Sequence, residues 1–461
     1  MNKQERLGKD PIGKLLLEFS IPTIISMMVN ALYTIVDRIY IGHIPGIGYL
    51  AIVGVGVTQP LTLIIFAFSM LIGTGASIYI SINLGKGNKE EAEKTLGNTL
   101  LLTILVGAII TVVGLLLLTP SLYAFGATAN TIIYGQDFMR ILFIGTIFNM
   151  FSFVLTQIIR ADGSPKKAMN ILLIGIIINI ILDPILIFLL GLGVTGAAIA
   201  TVTSQIIITI LAFRYFKSKH SVLKILKSTF KLNYKRSLRT SKLGIAAFVT
   251  QLTSSLVLVV ANNSLKLHGG ALSIGAMTII AAVAQVFYTP VYGINQGAQP
   301  IIGFNFGAKK IKRTIDTVSK ASIAATILMI CAFLVVEIFP KEVIEIFNGN
   351  TKLIDSTIFG MRIYLFCLPL DGFQIIASNY FRSIGQVKIA TFLGQLRKGL
   401  LFIPLVFILP EFWGITGVWL SGSIGDFFSF LITAIIFFRE IRKLKKSKEY
   451  KTQLEENKII A

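Results

Sequence analysis

The sequence predicts an all-α membrane protein with twelve transmembrane helices in two six-helix lobes, which an internal pseudo-twofold repeat relates. The first observation is composition: 54% of the 461 residues are hydrophobic and only 14% are charged, and the mean hydropathy is +0.78. The second is that long apolar segments, such as 171–190 and 424–438, alternate with short polar breaks. This pattern is typical of a helical bundle rather than a β-barrel. The third is a duplication within the chain. The composition and the apolar segments make lipid the expected solvent.

Hydropathy places the twelve predicted spans to within a few residues. Spans 1 to 12 cover 15–41, 50–82, 95–118, 131–157, 168–190, 194–213, 243–265, 276–303, 315–338, 354–381, 388–409 and 413–438. The basic and polar start, Met1–Lys14, leads into an apolar stretch that is long enough to span and has no small-residue cleavage site. We therefore expect span 1 to remain in the protein instead of being removed as a signal peptide.

The distribution of basic residues predicts the topology. A formal net charge of +21 could suggest a nucleic-acid partner. However, most of the 43 Lys and Arg residues lie in the N-terminus, in the loops after spans 2, 4, 6, 8 and 10, and in the C-terminal tail, against Lys266, Lys341 and Lys352 in the other loops. This positive-inside pattern predicts a multi-pass protein of the inner membrane with both termini in the cytoplasm and no nucleic-acid partner. The linker Arg214–Lys242 and the tail Arg439–Lys451 are expected to face anionic lipid.

The chain is an internal duplication with a nearly constant offset. The matching pairs are Gly75-Ala76 with Gly297-Ala298, Asn83 with Asn305, Arg160-Ala-Asp-Gly with Arg382-Ser-Ile-Gly, and Gly193-Val-Thr-Gly-Ala with Gly414-Ile-Thr-Gly-Val. These pairs predict an N-terminal lobe (1–213), a basic cytoplasmic linker (214–242), a C-terminal lobe (243–438) and a basic cytoplasmic tail (439–461). Both cysteines, Cys331 and Cys367, lie within predicted spans, so neither a disulfide framework nor a metal site is expected from them.

An even number of helices in each half makes the repeats parallel. Parallel repeats about an axis along the membrane normal are a known architecture of secondary transporters, with the substrate path at the interface of the lobes. The alternative is that duplication shows only that six helices form a stable half-bundle. We favour transport, since channels usually close a pore from identical subunits.

Few ionisable residues fall deep within the predicted spans, and each is a functional candidate because a charge in the bilayer is costly. The strongest acids are Asp37, Asp183 and Asp371. Other charged residues are closer to span ends, where snorkelling to the interface is the expected explanation. These are Arg38, Arg140, Glu337, Arg362, Arg397, Lys398 and Asp426.

Three oxygen-bearing side chains of the N-terminal lobe share one predicted depth. A rise of about 1.5 Å per residue places Asp37 about 8 Å, Asp183 about 12 Å and Thr201 about 10 Å below the outer surface. Asn179 is one turn before Asp183, so its amide can join the carboxylate. Pro184 lacks an N–H and is expected to kink span 5, which frees a backbone oxygen beside the acid. The pattern predicts a cation site; the alternative is a satisfied polar residue that stabilises the bundle.

The repeat provides an internal control for this site. Aligning Pro184 with Pro404 places Ile403 opposite Asp183 and Gly399 opposite Asn179. The predicted kink is therefore retained in the second lobe while the acid is not. We conclude that helix geometry does not require the acid, and that it is an addition to one lobe.

The sequence resembles the MATE (multidrug and toxic compound extrusion) family over essentially its whole length. The residues that carry the resemblance are Val36–Gly42, Asn83–Gly87, Arg160–Pro165 and Asn179–Pro184. The resemblance implies a cation-coupled exporter of organic cations whose two lobes form a V-shaped cavity. In one large branch of the family, the residues that match Asp37, Asn179, Asp183 and Thr201 form the coupling-cation site. The coupling cation is either H⁺ or Na⁺, the latter bound as a metal ion at these four residues. The sequence favours H⁺ slightly.

A cavity for organic cations should be largely apolar and aromatic with few polar groups. The residues expected to line it are Asn30, Tyr33, Asn149, Phe153, Gln251, Gln285, Phe287, Tyr288 and Asp371. Asp371 is the strongest of these, because it lies mid-span with no cation within one helical turn. Pro22 in span 1 is either a hinge that bends during transport or a static kink, and Pro184 is the second expected bend.

Three alternatives to an antiporter are considered. A lipid-linked oligosaccharide flippase of the same superfamily usually has two more helices and a more cationic cavity. A channel or receptor would need a selectivity filter or a sizeable extramembrane domain, and the sequence has neither. An enzyme is not expected, and without a Gly-x-x-x-x-Gly-Lys-Ser/Thr motif transport by this chain would not be ATP-driven. No cofactor and no obligate protein partner are expected, and the chain is predicted to be a monomer with small-molecule organic cations as substrates.

Overall fold

The computed structural model describes residues 3–345, 351–447, 450 and 452–453, and within them all regular secondary structure is helical. The α-helices are Lys3–Lys9, Ile12–Gly42, Gly48–Val57, Gln59–Gly85, Lys89–Leu116, Leu118–Ala124, Ile132–Ile144, Thr146–Ala161, Pro165–Pro184, Gly193–Lys217, Tyr234–Gly307, Ile311–Ile338, Pro340–Glu345, Thr351–Tyr364, Leu368–Ser383, Val387–Gln395 and Ile403–Lys445. Two π-helical turns, Ile185–Leu189 and Leu396–Phe402, and a 3-10 turn, Lys227–Thr229, complete the set. Most of the predicted tail beyond Ser447 lies outside the described residues.

The helices account for the twelve predicted spans. Eight helical segments in the described residues are long and apolar enough to cross a membrane, and two bent pairs raise the number to ten. The bent pairs are spans 4 and 10, with angles of 56° at Gly145 and 43° before Leu368. Spans 7 and 8 fall together in Tyr234–Gly307, and spans 11 and 12 in Val387–Lys445. The predicted all-helical fold class is confirmed.

Span 2 is interrupted, and spans 11 and 12 are joined, in ways that hydropathy did not predict. Span 2, predicted as one helix over 50–82, is two helices with the break at Thr58, and Pro60 stands in the first turn of the second helix. Proline is tolerated there because the first N–H groups of a helix have no intrahelical acceptor. Spans 11 and 12 share one helical run, but Gly414 breaks it with φ +53°, a backbone conformation that glycine adopts without a steric penalty.

The described residues divide into two compact units. Unit 1 contains Ile25–Phe248, and unit 2 contains Glu5–Ile24 together with 249–461. The division differs from the boundaries predicted from the repeat, because the linker belongs to unit 1 and the first part of span 1 belongs to unit 2. The start of the helix Tyr234–Gly307 lies in unit 1 while the start of Ile12–Gly42 lies in unit 2, so the two repeats exchange the starts of their first helices.

Each exchanged helix start rests against a glycine of the repeated Gly-Ala motif. In unit 1, a Cβ added to Gly75 would lie 2.0 Å from the carbonyl oxygen of Thr240. In unit 2, a Cβ on Gly297 would lie 2.8 Å from Cα of Ser20. Real Cβ contacts are longer than this, so only glycine allows the two helix backbones to approach this closely.

The repeated Gly-x-Thr-Gly motif adopts the same structure in both units. Gly193 and Gly414 have φ of +54° and +53°. A Cβ on Gly196 would lie 2.7 Å from the backbone of the preceding helical segment, and one on Gly417 would lie 2.4 Å from it. The motif therefore makes a tight turn into spans 6 and 12 and then packs the new helix directly on the end of the previous one.

Candidate functional site

The best candidate for an ion site lies in unit 1 around Asp183. Asp183 and Asn179 are one turn apart on the helix Pro165–Pro184 and are 0% and 1% exposed. With the Asn179 amide oriented to satisfy both of its groups, its nitrogen donates to Asp183 Oδ2 at 3.1 Å, and its oxygen accepts from the backbone N–H of Thr201 at 3.1 Å. One amide thus joins spans 5 and 6. Asp183 Oδ1 is buried and has no hydrogen-bond partner among the described residues.

Span 1 adds a second carboxylate to this region. Asp37 is partly buried, and its Oδ1 also has no hydrogen-bond partner within the described part of the chain. One turn earlier, the hydroxyls of Tyr33 and Thr201 lie 3.4 Å apart. Tyr33 and Asp37 are one turn apart on the helix Ile12–Gly42, so Asp37 lies on the helix face that contacts Thr201. The structure therefore brings the four residues predicted as the coupling-cation site to one region of unit 1.

The backbone changes its helical type directly after the acid. The α-helix ends at Pro184, and the π-helical turn Ile185–Leu189 follows it. Proline cannot donate to the carbonyl four residues earlier, so the ladder must shift here. The second repeat also has a π-helical turn, Leu396–Phe402, but this turn precedes Pro404. Single π turns often mark functional positions in helices.

A cavity of about 460 Å³ lies in unit 1 next to this turn. Its lining includes Ile187 from the π-helical turn, Tyr134 and Asp137 from span 4, and Thr195 from the start of span 6. Sequence reasoning did not single out Tyr134, Asp137 or Thr195. Asp137 is the one acid among the lining residues. It lies in the helix Ile132–Ile144, close to the start of predicted span 4, and nothing in the sequence indicated that it borders a cavity.

Unit 2 contains a buried network of charges that the sequence did not predict. Arg397 Nε lies 2.5 Å from Asp426 Oδ1, and its NH2 lies 3.1 Å from Asp371 Oδ2. Tyr288 donates its hydroxyl to Asp371 and accepts from Arg397 NH2 at 2.5 Å. The expectation that Arg397 and Asp426 snorkel to the interface is wrong, because their side chains are only 16% and 8% exposed. The Coulomb attraction of two carboxylates holds the guanidinium inside instead.

The base next to Arg397 has a different partner. Lys398 Nζ donates to Ser254 Oγ at 2.9 Å, and the guanidinium of Arg397 lies 5.0 Å from the centroid of the Tyr288 ring. Asp371, which the sequence presented as an acid without a nearby cation, is therefore bound to a base from another helix.

The residues expected to line a substrate cavity are distributed over both units. Unit 1 holds Asn30, Tyr33, Asn149 and Phe153, and unit 2 holds Gln251, Gln285, Phe287, Tyr288 and Asp371. Asn30 and Gln285 are exposed, Tyr288 and Asp371 are buried, and the others are intermediate. Of this set the structure brings Tyr288 and Asp371 into direct contact. Their role in substrate binding stays a prediction.

Pro22, the predicted hinge, lies close to the point where the first helix passes from one unit to the other. In unit 2, a Cβ added to Gly293 would lie 2.3 Å from Ile24 Cγ1. The next residue, Ile25, belongs to unit 1. Pro22 is thus two residues before Ile24, the last residue of span 1 in unit 2.

The fold and the buried ionisable residues are those of a membrane transporter family. The family model described as MatE matches the chain twice, at residues 22–185 and 245–408. The two matches have the same length and together cover most of the chain, so this chain belongs to the MatE family and is duplicated as its sequence predicted.

Curated relatives and solved structures agree with this assignment. The chain is 28% identical over 407 residues to the multidrug export protein MepA of Staphylococcus haemolyticus (strain JCSC1435), with 88% of this chain and 89% of the relative covered. It is 26% identical over 430 residues to MepA of Staphylococcus aureus (strain MSSA476), with 93% and 94% covered. A structure of a MATE-family multidrug resistance transporter in an outward-facing conformation matches with a TM-score of 0.89 at 23% identity, covering 97% of this chain and 99% of the other. At that identity the likeness concerns the fold alone.

Proposed function

We propose that this chain is a cation-coupled secondary antiporter that exports organic cations across the cytoplasmic membrane by alternating access. Membership of the MatE family and the similarity to proteins named as multidrug exporters support drug export as its activity. The proposed coupling site consists of Asp37, Asn179, Asp183 and Thr201. The chain would act alone as a monomer, with both termini in the cytoplasm.

The observation that carries the proposal is a pair of incompletely satisfied carboxylates in unit 1. Asp183 Oδ1 and Asp37 Oδ1 are both buried without a hydrogen-bond partner in the described residues. A buried charge is stable only when it is paired, hydrogen-bonded or neutralised. Two such acids in one region are best satisfied by a small cation or by a proton, and Thr201 and Asn179 offer further oxygen atoms.

The energetics limit the stoichiometry. Exchange of one monovalent organic cation for one H⁺ or Na⁺ moves no net charge, so the membrane potential does not drive it. The chemical gradient of the coupling cation then supplies about 1.4 kcal/mol per tenfold ratio. The cation and the drug must each bind one conformation more tightly than the other. A ligand with equal affinity for two conformations does not change their populations.

The experiment is efflux of a fluorescent organic cation from vesicles that contain the purified chain, with imposed pH or Na⁺ gradients. We expect efflux to follow one of the two gradients in the wild type and to lose its gradient dependence in Asp183→Asn, which has no carboxylate to exchange the cation. Glu90→Gln is the matched control, because it removes an acid of the same unit that is 77% exposed and lies outside the proposed site. Equal gradient-driven efflux by wild type and Asp183→Asn would overturn the assignment.

The same assay separates the rival function. If the chain were a lipid-linked oligosaccharide flippase, neither wild type nor Asp183→Asn would move the fluorescent cation under either gradient. If thermal unfolding shows that the protein is folded, that outcome would remove the antiporter proposal altogether.

A further inference from the structure

The segment between the two repeats is folded onto unit 1 instead of forming a free tether. We call residues 218–242 the connector. Between Arg214 and Lys242 the sequence has no acidic residue, so the connector cannot neutralise its own charge. Its acidic contacts come from the ends of spans 3 and 4.

The first half of the connector is bound through its backbone. Asp162, directly after the helix Thr146–Ala161, accepts from the N–H groups of Val222 and Leu223 at 3.1 and 3.0 Å. Glu93, in the first turns of Lys89–Leu116, accepts from the N–H of Lys224 at 3.0 Å. Hydrogen bonds from main-chain donors to carboxylates are among the stronger ones in proteins. These three bonds fix the path of the chain, whatever the side chains of the connector do.

The second half of the connector is also held to unit 1 by specific hydrogen bonds. Asn98 Oδ1 accepts from the N–H of Asn233 at 2.7 Å. Arg236 donates to both oxygens of Glu91 at 3.0 and 2.9 Å. A Cβ on Gly97 would lie 2.3 Å from the carbonyl oxygen of Thr229, so the connector also contacts span 3 at van der Waals distance.

The exposed side chains of the connector are both apolar and basic. Its exposed apolar residues are Leu226 (44%), Phe230 (39%), Leu232 (51%), Tyr234 (77%) and Leu238 (40%). Its exposed basic residues are Lys219, Lys231, Lys235, Arg239 and Lys242. From Leu226 to Lys242 the two kinds are interspersed along the chain. Water alone is a poor environment for five large apolar side chains in one short segment, whereas the headgroup region of a bilayer suits both aromatic rings and Lys.

We propose that the connector binds anionic phospholipid headgroups of the adjacent leaflet, with its Lys side chains on the phosphates and its apolar side chains at the edge of the acyl region. Its anchors, Glu91, Glu93 and Asp162, stand at the ends of two membrane-crossing helices, which is the level of the headgroups. The positive-inside pattern makes this the cytoplasmic leaflet. Lipid here is a ligand of an ordered surface, and its binding does not depend on the transport site.

The test is the thermal unfolding of the full-length chain in neutral micelles with added phosphatidylglycerol or phosphatidylcholine. We compare wild type, the triple variant Lys231→Gln/Lys235→Gln/Lys242→Gln, and a matched triple, Lys86→Gln/Lys166→Gln/Lys167→Gln. The control removes three exposed charges from the end of the helix Gln59–Gly85 and the start of the helix Pro165–Pro184, on the same side of unit 1. Each Lys near an anionic surface changes affinity about fivefold, so the connector triple should need about a hundredfold more phosphatidylglycerol for the same stabilisation. The control should need clearly less additional phosphatidylglycerol than the connector triple, and an equal requirement for the two triples would contradict the proposal.

Several outcomes would overturn the proposal. The connector triple could keep the full response to phosphatidylglycerol, or phosphatidylcholine could stabilise the wild type as much. A shift of equal size caused by short double-stranded RNA, and lost in the connector triple, would assign the surface to nucleic acid. A second variant, Tyr234→Ser/Leu238→Ser, keeps every charge and every anchor. It should bind phosphatidylglycerol more weakly, and an unchanged response would refute the apolar part of the proposal.

Discussion

Arg397 and Asp426 form an ion pair with two contacts inside unit 2, Nε to Oδ1 at 2.5 Å and NH2 to Oδ2 at 3.0 Å. The two side chains come from the π-helical turn of span 11 and from the middle of span 12. The same guanidinium reaches Asp371 on span 10. One base therefore connects three helices of the unit, and its removal would leave two buried carboxylates with one partner fewer.

We predict that Arg397→Gln lowers the stability of the chain by about 3–5 kcal/mol, the typical loss when one member of a buried pair is removed. The measurement is thermal unfolding in detergent. Arg362→Gln is the control, because Arg362 pairs with Glu337 at 3.2 Å with side chains that are 47% and 31% exposed. An exposed pair contributes at most about 1 kcal/mol. Similar unfolding temperatures for the two variants would contradict the structural role given to Arg397.

Asn179→Ala should weaken the binding of the coupling cation without unfolding the protein. The amide bridges Asp183 and the backbone of Thr201, and a hydrogen bond to a charged group contributes about 1.5–3 kcal/mol. The cation concentration for half-maximal efflux should therefore rise about tenfold to a hundredfold. In the control Ser204→Ala, the lost hydroxyl donates to the carbonyl of Thr201 in its own helix, at 2.8 Å. If both variants transport like wild type, Asn179 is not part of the site.

Pro22→Ala tests the hinge in the first helix. Alanine restores the N–H and favours a regular helix, so a bend that transport requires would become harder to form. We expect efflux to fall several-fold, as in Asp183→Asn, while thermal unfolding is unchanged. Pro300→Ala is the control, since Pro300 also lies inside a helix of unit 2. Undiminished efflux by Pro22→Ala would leave Pro22 as a static kink.

Gly75→Ala tests the close contact between span 2 and the start of span 7. Its new Cβ would clash with the carbonyl oxygen of Thr240, and overpacking of this kind costs about 1–3 kcal/mol. A Cβ on Gly56 meets nothing within 4 Å, so Gly56→Ala should be neutral or stabilising by up to about 1 kcal/mol. The comparison uses thermal unfolding of both variants, and the reverse order of stability would contradict the packing described here.

Much of the fold could be predicted because membranes restrict the options. Hydropathy alone located the spans, and motif pairs such as Asn83 and Asn305 revealed the repeat. The structure gives that pair one role: each side-chain nitrogen donates to the carbonyl four residues earlier, at 2.8 Å and 2.9 Å. The bend at Gly145 was not predicted, because no proline marks it and helices pack around it from other parts of the sequence.

The two ionic regions show what sequence patterns reveal and what they do not. Asn179 and Asp183 are one turn apart, so helical spacing predicted their contact. Arg397, Asp371 and Asp426 come from three different helices, and no periodicity within one helix indicates which distant side chains will meet. Arg397 and Asp426 were expected to snorkel to the interface and Asp371 to lie mid-span without a nearby cation, whereas the tertiary packing encloses the three side chains together.

The exchanged helix starts have a consequence for dividing the polypeptide. A cut in the connector, the obvious place to separate two repeats, would leave Glu5–Ile24 on the fragment whose unit it does not belong to. Those residues serve the other fragment: Asn305 and Lys310 donate to the carbonyls of Leu7 and Gly8 at 3.1 and 2.8 Å. Neither half of the cut chain would carry a complete set of partners, so each repeat needs the other half of the polypeptide for the start of a helix in its own unit.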